Sequence, residues 1–179
     1  MTEPTRSPVR LHRVTVVTVT DEPAPEGLDQ EAFRAVYAAH YPALVRLAYL
    51  TTGSLAAAED VAQEAFVEWL RRGDQVREPV PFLRRAVVSR CTSWVRRRRL
   101  ERRHASVTPE PVWRPDGDTE VVRAALHKLT ARQRAAVFMR FYLDLPEAQI
   151  AAALDCRPGT VKSLLHRALT AIKEDLDVA

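Results

Sequence analysis

The chain has 179 residues, which is enough for one medium domain or two small ones, and 27 Lys and Arg against 23 Asp and Glu give a formal net charge of only +4. Its longest apolar stretches fall far short of the roughly 20 residues that a membrane span requires. Two cysteines exclude a disulfide framework, so we expect a protein of the reducing cytoplasm.

The first 28 residues are predicted to form a disordered tail. They contain four prolines and no helical period, and their Thr/Val run at 14–20 is too short and isolated for a stable strand. A mis-assigned start codon would produce the same pattern.

Residues 29–103 are predicted to form a small domain of three helices. Asp29 and Ser54 are suited to cap the first two helices, and Gly53 is suited to end the first in the left-handed conformation. Pro79 marks the start of the third helix, in which Cys91 lies on the apolar side. Apolar residues at helical spacing give each helix one face for a common core.

A Pro-rich acidic segment at 104–120 is predicted to be a flexible linker to a second helical domain at 121–179. Thr130 and Gln133 form a capping-box pattern, Pro146 precedes a short helix, and Pro158 occupies the first position of the last helix. The inward face of that last helix is predicted to hold Val161, Leu165, Ala168, Leu169 and Ile172. The fold class is therefore all-α, with two small helical domains joined by a flexible linker.

The segment from Pro146 to Leu169 fits a helix-turn-helix, because a short helix and a tight turn precede a helix with a polar outer face. The second helix of such a motif enters the major groove, where Arg and Lys bind guanine edges and Ser or Thr bonds to a base or a phosphate. An ordinary helical hairpin with a solvated face remains the alternative. The candidate DNA-binding residues are Arg157, Thr160, Lys162, Ser163, His166 and Arg167.

Positive charge is concentrated in residues 84–103, which hold nine Arg and one acid and therefore net +8. Trp94 lies among these cations, and cations beside a stacking surface suit phosphates and unpaired bases. A charge run is often only a solvated face. Eight net charges in one helix nevertheless require counter-charge, which favours a nucleic acid.

An acidic edge follows the second helix through Glu59, Asp60, Gln63, Glu64 and Glu68. It suits a protein-docking face, although exposed Glu on a helix is also an ordinary solvated pattern. The five His are scattered, with neither a HExxH pair nor a Gly-rich phosphate loop. We therefore predict no catalytic residue, no metal, no cofactor and no small-molecule substrate.

Two sets of motifs in this order point to a known family. The first set is the string His40 to Tyr49, then Gly53, the string Ala58 to Phe66, and the stretch Phe82 to Ser89 with its Arg run. The second is Leu129 to Arg134, Gly159 to Ser163 and His166-Arg167-Ala168. In these residues the chain resembles the extracytoplasmic-function (ECF) subfamily of bacterial sigma-70 factors, in its actinobacterial form. The resemblance covers about residues 30–103 and 121–176.

The resemblance implies a transcription-initiation factor with three kinds of partner: the clamp and flap of the RNA polymerase core, promoter DNA, and an anti-sigma factor. The acidic edge would dock on the polymerase through Asp60, Gln63, Glu64 and Phe66. The helix-turn-helix would read the −35 element as duplex. The loop at 74–81 and the Arg-rich helix would engage the −10 element, through Arg84, Arg85, Ser89, Arg90, Ser93, Trp94, Arg96, Arg97 and Arg98.

Three residues depart from the family pattern. Ser89 stands where the family often has Asn, which is expected to weaken a specific base contact at this position. Leu164 stands where a basic residue commonly follows Lys-Ser, which is expected to remove a phosphate or base contact. Asp155 replaces the usual turn Gly. Asp tolerates the left-handed conformation better than most residues, and we therefore expect the turn to be retained.

Two other classes of protein compete with this interpretation. A helix-turn-helix regulator that acts without joining polymerase would leave residues 30–103 without a role. A helical interaction protein or a remnant enzyme domain would explain neither the basic stripe nor the order of the motifs.

Overall fold

Six α-helices account for most of the chain that the computed structural model describes, which is residues 29–104 and 125–176. Residues 125–128 are also helical, and the described residues contain no strand. The predicted tail and residues 105–120 of the predicted linker lie outside the described residues, while His104, which was predicted to begin the linker, ends α3. The helices are α1 (Gln30–Thr52), α2 (Leu55–Arg72), α3 (Pro79–His104), α4 (Ala131–Phe141), α5 (Glu147–Leu154) and α6 (Pro158–Leu176), with a 3₁₀ turn at Gly73–Gln75.

Local capping sets the helix ends, as the sequence predicts. The Asp29 side chain accepts a hydrogen bond from the Glu31 amide, Ser54 accepts from Ala57, and Gly53 adopts φ 77° at the end of α1. Both halves of the capping box between Thr130 and Gln133 are formed. These bonds satisfy backbone groups that the helices leave open at their ends.

The N-terminal unit, residues 29–104, packs α1, α2 and α3 around an aromatic cluster. Trp69 is 2% exposed and stacks on Phe33 with ring centroids 5.1 Å apart, while Phe66 meets the edge of Tyr37 at 4.9 Å. Cys91 is fully buried, as predicted, and burial raises the pKa of its thiol to about 12. Its thiol therefore behaves as a small apolar side chain at neutral pH.

The C-terminal unit, residues 125–176, packs α4, α5 and α6 around Met139 and Ile150, which are both fully buried. Two assignments on α6 differ from the sequence prediction. Leu169 is 45% exposed, and Leu164, at 9% exposed, takes a place in the core. Val161, Leu164, Leu165 and Ala168 thereby form the i, i+3, i+4, i+7 face of an amphipathic helix.

The two units share one continuous core in the described structure, and Arg134 on α4 joins them. Its guanidinium donates hydrogen bonds to the carbonyl of Thr51 at 2.9 Å, at the end of α1, and to that of Leu129 at 2.7 Å in its own unit. On the same side Arg46 donates to the Tyr142 hydroxyl, with its guanidinium 5.5 Å from the ring centroid. Burial lowers the pKa of Arg134, and carbonyl groups accept from its two Nη atoms, whereas its buried Nε has no hydrogen-bond partner.

Candidate nucleic-acid and protein-binding surfaces

The outer face of α6 carries the side chains that the sequence assigns to duplex DNA. All six of them are exposed, whereas the opposite face of the helix is buried. Ser163 and Arg167 lie one turn apart, and Lys162 and His166 lie beside them on the same open face of α6. The six exposed residues are Arg157, Thr160, Lys162, Ser163, His166 and Arg167.

The turn before α6 holds that face in position. Asp155 adopts the left-handed conformation with φ 50° and ψ 58°, as predicted. The Cys156 amide donates to the Ala151 carbonyl at 3.0 Å and the Asp155 amide to Ala152 at 3.4 Å, which is a Schellman pattern. Arg132 donates to the Leu154 carbonyl at 2.7 Å, so the end of α5 is closed by both backbone and side chain.

Leu164 packs its side chain in the core, at 9% exposed, and not on the polar face of α6. The expected loss of a contact at this position stays a prediction, while the structure gives Leu164 a place in the core. The family pattern placed a cation here, but the apolar period of this helix places position 164 inside.

Leu164→Arg is therefore expected to destabilise the protein and not to improve promoter binding. A guanidinium at this buried position would lose water without a partner, at a cost of about 3 kcal/mol or more. Thr170→Arg, at an exposed position of the same helix, adds the same charge and is the matched control. Equal melting temperatures for the two variants would contradict the burial of position 164.

The Arg-rich helix α3 presents its cations unequally. Arg85, Arg96, Arg97 and Arg99 are exposed, while Arg84 is half-buried and burial lowers its pKa. Arg97 and Arg98 each reach Glu101, at 4.0 Å and 3.5 Å. Exposed pairs at such distances are weak and leave these arginines available to phosphates.

Ser89, Ser93 and Trp94 line one groove of about 530 Å³ between α2 and α3, together with Asp60 and Glu64. Trp94 is half-buried, with part of its ring open to this groove. The predicted polymerase-binding and −10 residues therefore meet in one place. The sequence analysis placed them on two different helices and did not predict that they meet.

Arg90 differs from the other arginines of α3 because it is held by acids of α2. Its Nε lies 3.3 Å from Glu64 Oε2 and its Nη2 lies 2.5 Å from Glu68 Oε2. Glu68 also accepts from Arg72 at 2.6 Å, and these cations hold the pKa of Glu68 below its usual value. Sequence reasoning missed this network, although the i, i+4 spacing of Glu68 and Arg72 could have indicated part of it.

The acidic edge of α2 is exposed at Asp60, Gln63 and Glu64. Phe66, which the sequence analysis also assigned to polymerase binding, is only 3% exposed and packs among the aromatic rings of the core. A direct contact by its side chain is therefore excluded in this structure. Phe66 follows Glu64 by two residues and therefore points to the opposite side of α2, where it packs against aromatic rings of α1.

The described residues offer little for other chemistry. No group of three or more His, Cys, Asp or Glu residues among them could hold a metal ion. Within the same ranges, no helix is both long enough and apolar enough to cross a membrane.

Two helical units, one with a helix-turn-helix and the other with a cationic helix, are together typical of a DNA-binding protein. Two family models match the chain. The model of Sigma-70 region 2 matches residues 36–101, and the model of Sigma-70, region 4 matches residues 119–172. The chain is 34% identical over 153 residues to the ECF RNA polymerase sigma factor SigL of Mycobacterium tuberculosis. The aligned residues cover 78% of this chain and 86% of SigL.

The RNA polymerase sigma-E factor of Streptomyces avermitilis is 33% identical over 127 residues, which is 67% of this chain and 71% of that protein. The chain therefore belongs to the ECF subfamily of sigma-70 RNA polymerase sigma factors.

Two solved structures have the same fold. RpoE of Bartonella quintana, in complex with the anti-sigma factor NepR, gives a TM-score of 0.69 at 24% identity and covers 83% of this chain and 98% of its own. CnrH, in complex with the cytosolic domain of CnrY, gives a TM-score of 0.63 at 22% identity over 84% of this chain and 90% of its own.

Proposed function

We propose that this sigma factor binds the RNA polymerase core through the acidic edge of α2 and directs initiation at promoters with two separately read elements. The outer face of α6 reads the −35 element as duplex. The exposed arginines of α3, with Ser89, Ser93 and Trp94, engage the −10 element together with the residues that precede α3. The observation that carries the proposal is the presence of two cationic faces on separate units, beside one acidic edge.

The three surfaces differ in charge and therefore suit different partners. The arginines of α3 supply phosphate contacts whose strength falls as salt rises. Trp94 offers a ring on which an unstacked base can lie, which would offset part of the few kcal/mol that base extrusion costs. The acidic edge repels DNA, and its carboxylates are suited to a basic protein surface on the polymerase.

Three further parts of the proposal follow from the family. The protein acts in the cytoplasm as an initiation factor and not as an enzyme. An anti-sigma factor is a further partner, as NepR is for RpoE of Bartonella quintana. The domain division, with a linker at 104–120, also remains a proposal, since residues 105–120 lie outside the described residues.

The direct test is to combine the protein with core polymerase and promoter-bearing DNA and to measure specific transcripts. The proposal expects start sites that the core alone does not use. If the protein binds duplex DNA by itself but never restores initiation, it is a regulator that acts without joining polymerase, and the proposal is wrong.

The described arrangement brings the two DNA-reading surfaces too close for simultaneous use. Arg85 Nη2 lies 3.7 Å from Asp155 Oδ1 in the turn before α6. The two promoter elements are centred about 25 base pairs apart, or about 85 Å along the duplex at 3.4 Å per pair. The units must therefore separate when both elements are bound, and the contacts of Arg134 and Arg46 must break.

Energy transfer between dyes on the two units is expected to fall to near background when core and promoter DNA are added. Ala38→Cys on α1 and Lys173→Cys on α6 provide exposed labelling positions in a Cys156→Ser background. Arg134→Met, which removes the hydrogen bonds to both units, should already lower the transfer in the free protein. Unchanged transfer in a transcribing complex would contradict the separation of the units.

A further inference from the structure

Arg90 is bonded to protein more completely than the exposed arginines of α3. Besides its ion pairs with Glu64 and Glu68, its Nη1 lies 3.4 Å from the Ala86 carbonyl on the preceding turn. Its side chain is 28% exposed, against 72% for Arg97. All three guanidinium nitrogens therefore have a protein acceptor.

The charge around Arg90 is already balanced. Glu64 and Glu68 bring two negative charges to Arg90, and Arg72 supplies the second positive charge at Glu68. A DNA phosphate that approached this group would meet the carboxylates as well as the guanidinium. Arg96 and Arg99, by contrast, pair with no acid among the residues whose side chains the structure describes.

The acidic edge needs such a counter-charge. Asp60, Glu64 and Glu68 follow one another at i, i+4 on α2, where like charges repel by a few tenths of a kcal/mol for each pair. The planar guanidinium of Arg90 reaches two of these carboxylates from α3, with separate nitrogens for each. It thereby ties Glu64, whose side chain is otherwise 66% exposed, to α3.

The contact between Arg90 and Glu64 lies in the groove between α2 and α3. Asp60 and Glu64 line its α2 wall, Ser93 and Arg97 line its α3 wall, and Arg90 lies between them. Release of Arg90 would let Glu64 swing away from its present position. The acidic edge of α2, which is proposed to bind the polymerase, would then lose its geometry. The exposed arginines of α3, which are proposed to bind DNA, would keep theirs.

We propose that Arg90 is a positioning residue that holds Glu64 in place for polymerase docking and that it is not a contact to promoter phosphate. This inference rests on the proposed function of the α2 edge. It changes the role that the sequence gave to Arg90, which counted it among the −10 contacts because of its place in the Arg run.

Arg90→Gln is expected to raise the dissociation constant for core polymerase about three- to tenfold, because Glu64 loses its anchor. The salt dependence of promoter binding by the assembled holoenzyme should stay unchanged. Both quantities can be measured with a fluorescently labelled protein, first titrated with core and then, as holoenzyme, with promoter DNA at several salt concentrations.

Arg96→Gln is the matched control, since it removes the same charge from an exposed position of the same helix. It should keep the affinity for core and lower the salt slope of promoter binding by about 0.7 to 0.9. If Arg90→Gln behaves in the same way as Arg96→Gln, Arg90 is a phosphate contact and the inference is overturned.

A double-variant cycle separates positioning from a general loss of structure. If Arg90 acts through Glu64, Arg90→Gln combined with Glu64→Gln should bind core no more weakly than the worse single variant. Arg90→Lys, which keeps the charge but not the fork, should recover part of the affinity. Additive losses in the cycle, or no recovery with Lys, would contradict the inference. A wild-type protein that fails to bind core would instead refute the proposed function itself.

Discussion

Replacing Lys162 and Arg167 together by Gln is expected to reduce initiation at the cognate promoter about thirtyfold or more. Both side chains are exposed and lie close together on the outer face of α6. A cation bidentate to a guanine edge contributes about 1–3 kcal/mol of discrimination, and two such contacts multiply their effects on the rate. The fold should be unaffected because neither side chain packs in the core.

The measurement compares transcription from the cognate promoter with transcription from the same promoter carrying a scrambled −35 element. The double variant should lose the difference between the two templates. Lys173→Gln removes an exposed cation from the last turns of the same helix and is the control. An equal loss on both templates would assign Lys162 and Arg167 to phosphate contacts only.

Neutralising Arg96 to Arg99 with Gln is expected to flatten the salt dependence of open-complex formation by about 3 in the log–log slope. Each phosphate contact contributes about 0.7 to 0.9 to that slope, and the four side chains lie in one run on α3. The ion pairs of Arg97 and Arg98 with Glu101 are exposed and do not compete strongly with phosphate.

The thermal stability of this variant should not fall, because Gln is a good helix former and the change removes repulsion between neighbouring cations. Arg34→Gln, on the exposed side of α1, provides a control for charge alone. A slope that stays at the wild-type value would mean that the run is only a solvated face.

Local signals in the sequence predicted the helices well, because each end depends on residues close in the chain. Ser54 and the Thr130 capping box satisfy open amides by geometry that any helix start shares. Asp155 adopts the left-handed conformation for which its short polar side chain is suited. The exposed face of α6 followed from the same periodicity.

Burial was misjudged where the family pattern was preferred to the apolar period. Position 164 was left out of the inward face of α6, although it completes the spacing begun by Val161. Phe66 fits the apolar stripe of α2 by its period, and only the family resemblance gave it a polymerase contact. Contacts distant in the chain gave no local signal. The hydrogen bond from Arg134 to Thr51 spans 83 positions, and the bonds of Arg90 to α2 depend on how two helices cross.

The separate reading of two promoter elements through the polymerase is the central claim, and one measurement tests it most directly. Core polymerase transcribes a promoter library randomised at both elements, and the RNA products are sequenced. The protein added is the wild type, the α3 variant (Arg96 to Arg99 replaced by Gln) or the α6 variant (Lys162 and Arg167 replaced by Gln). We expect the α6 variant to lose sequence preference only at −35 and the α3 variant to weaken initiation through −10. Loss of preference at both elements in both variants, or transcripts no different from those of core alone, would contradict the claim.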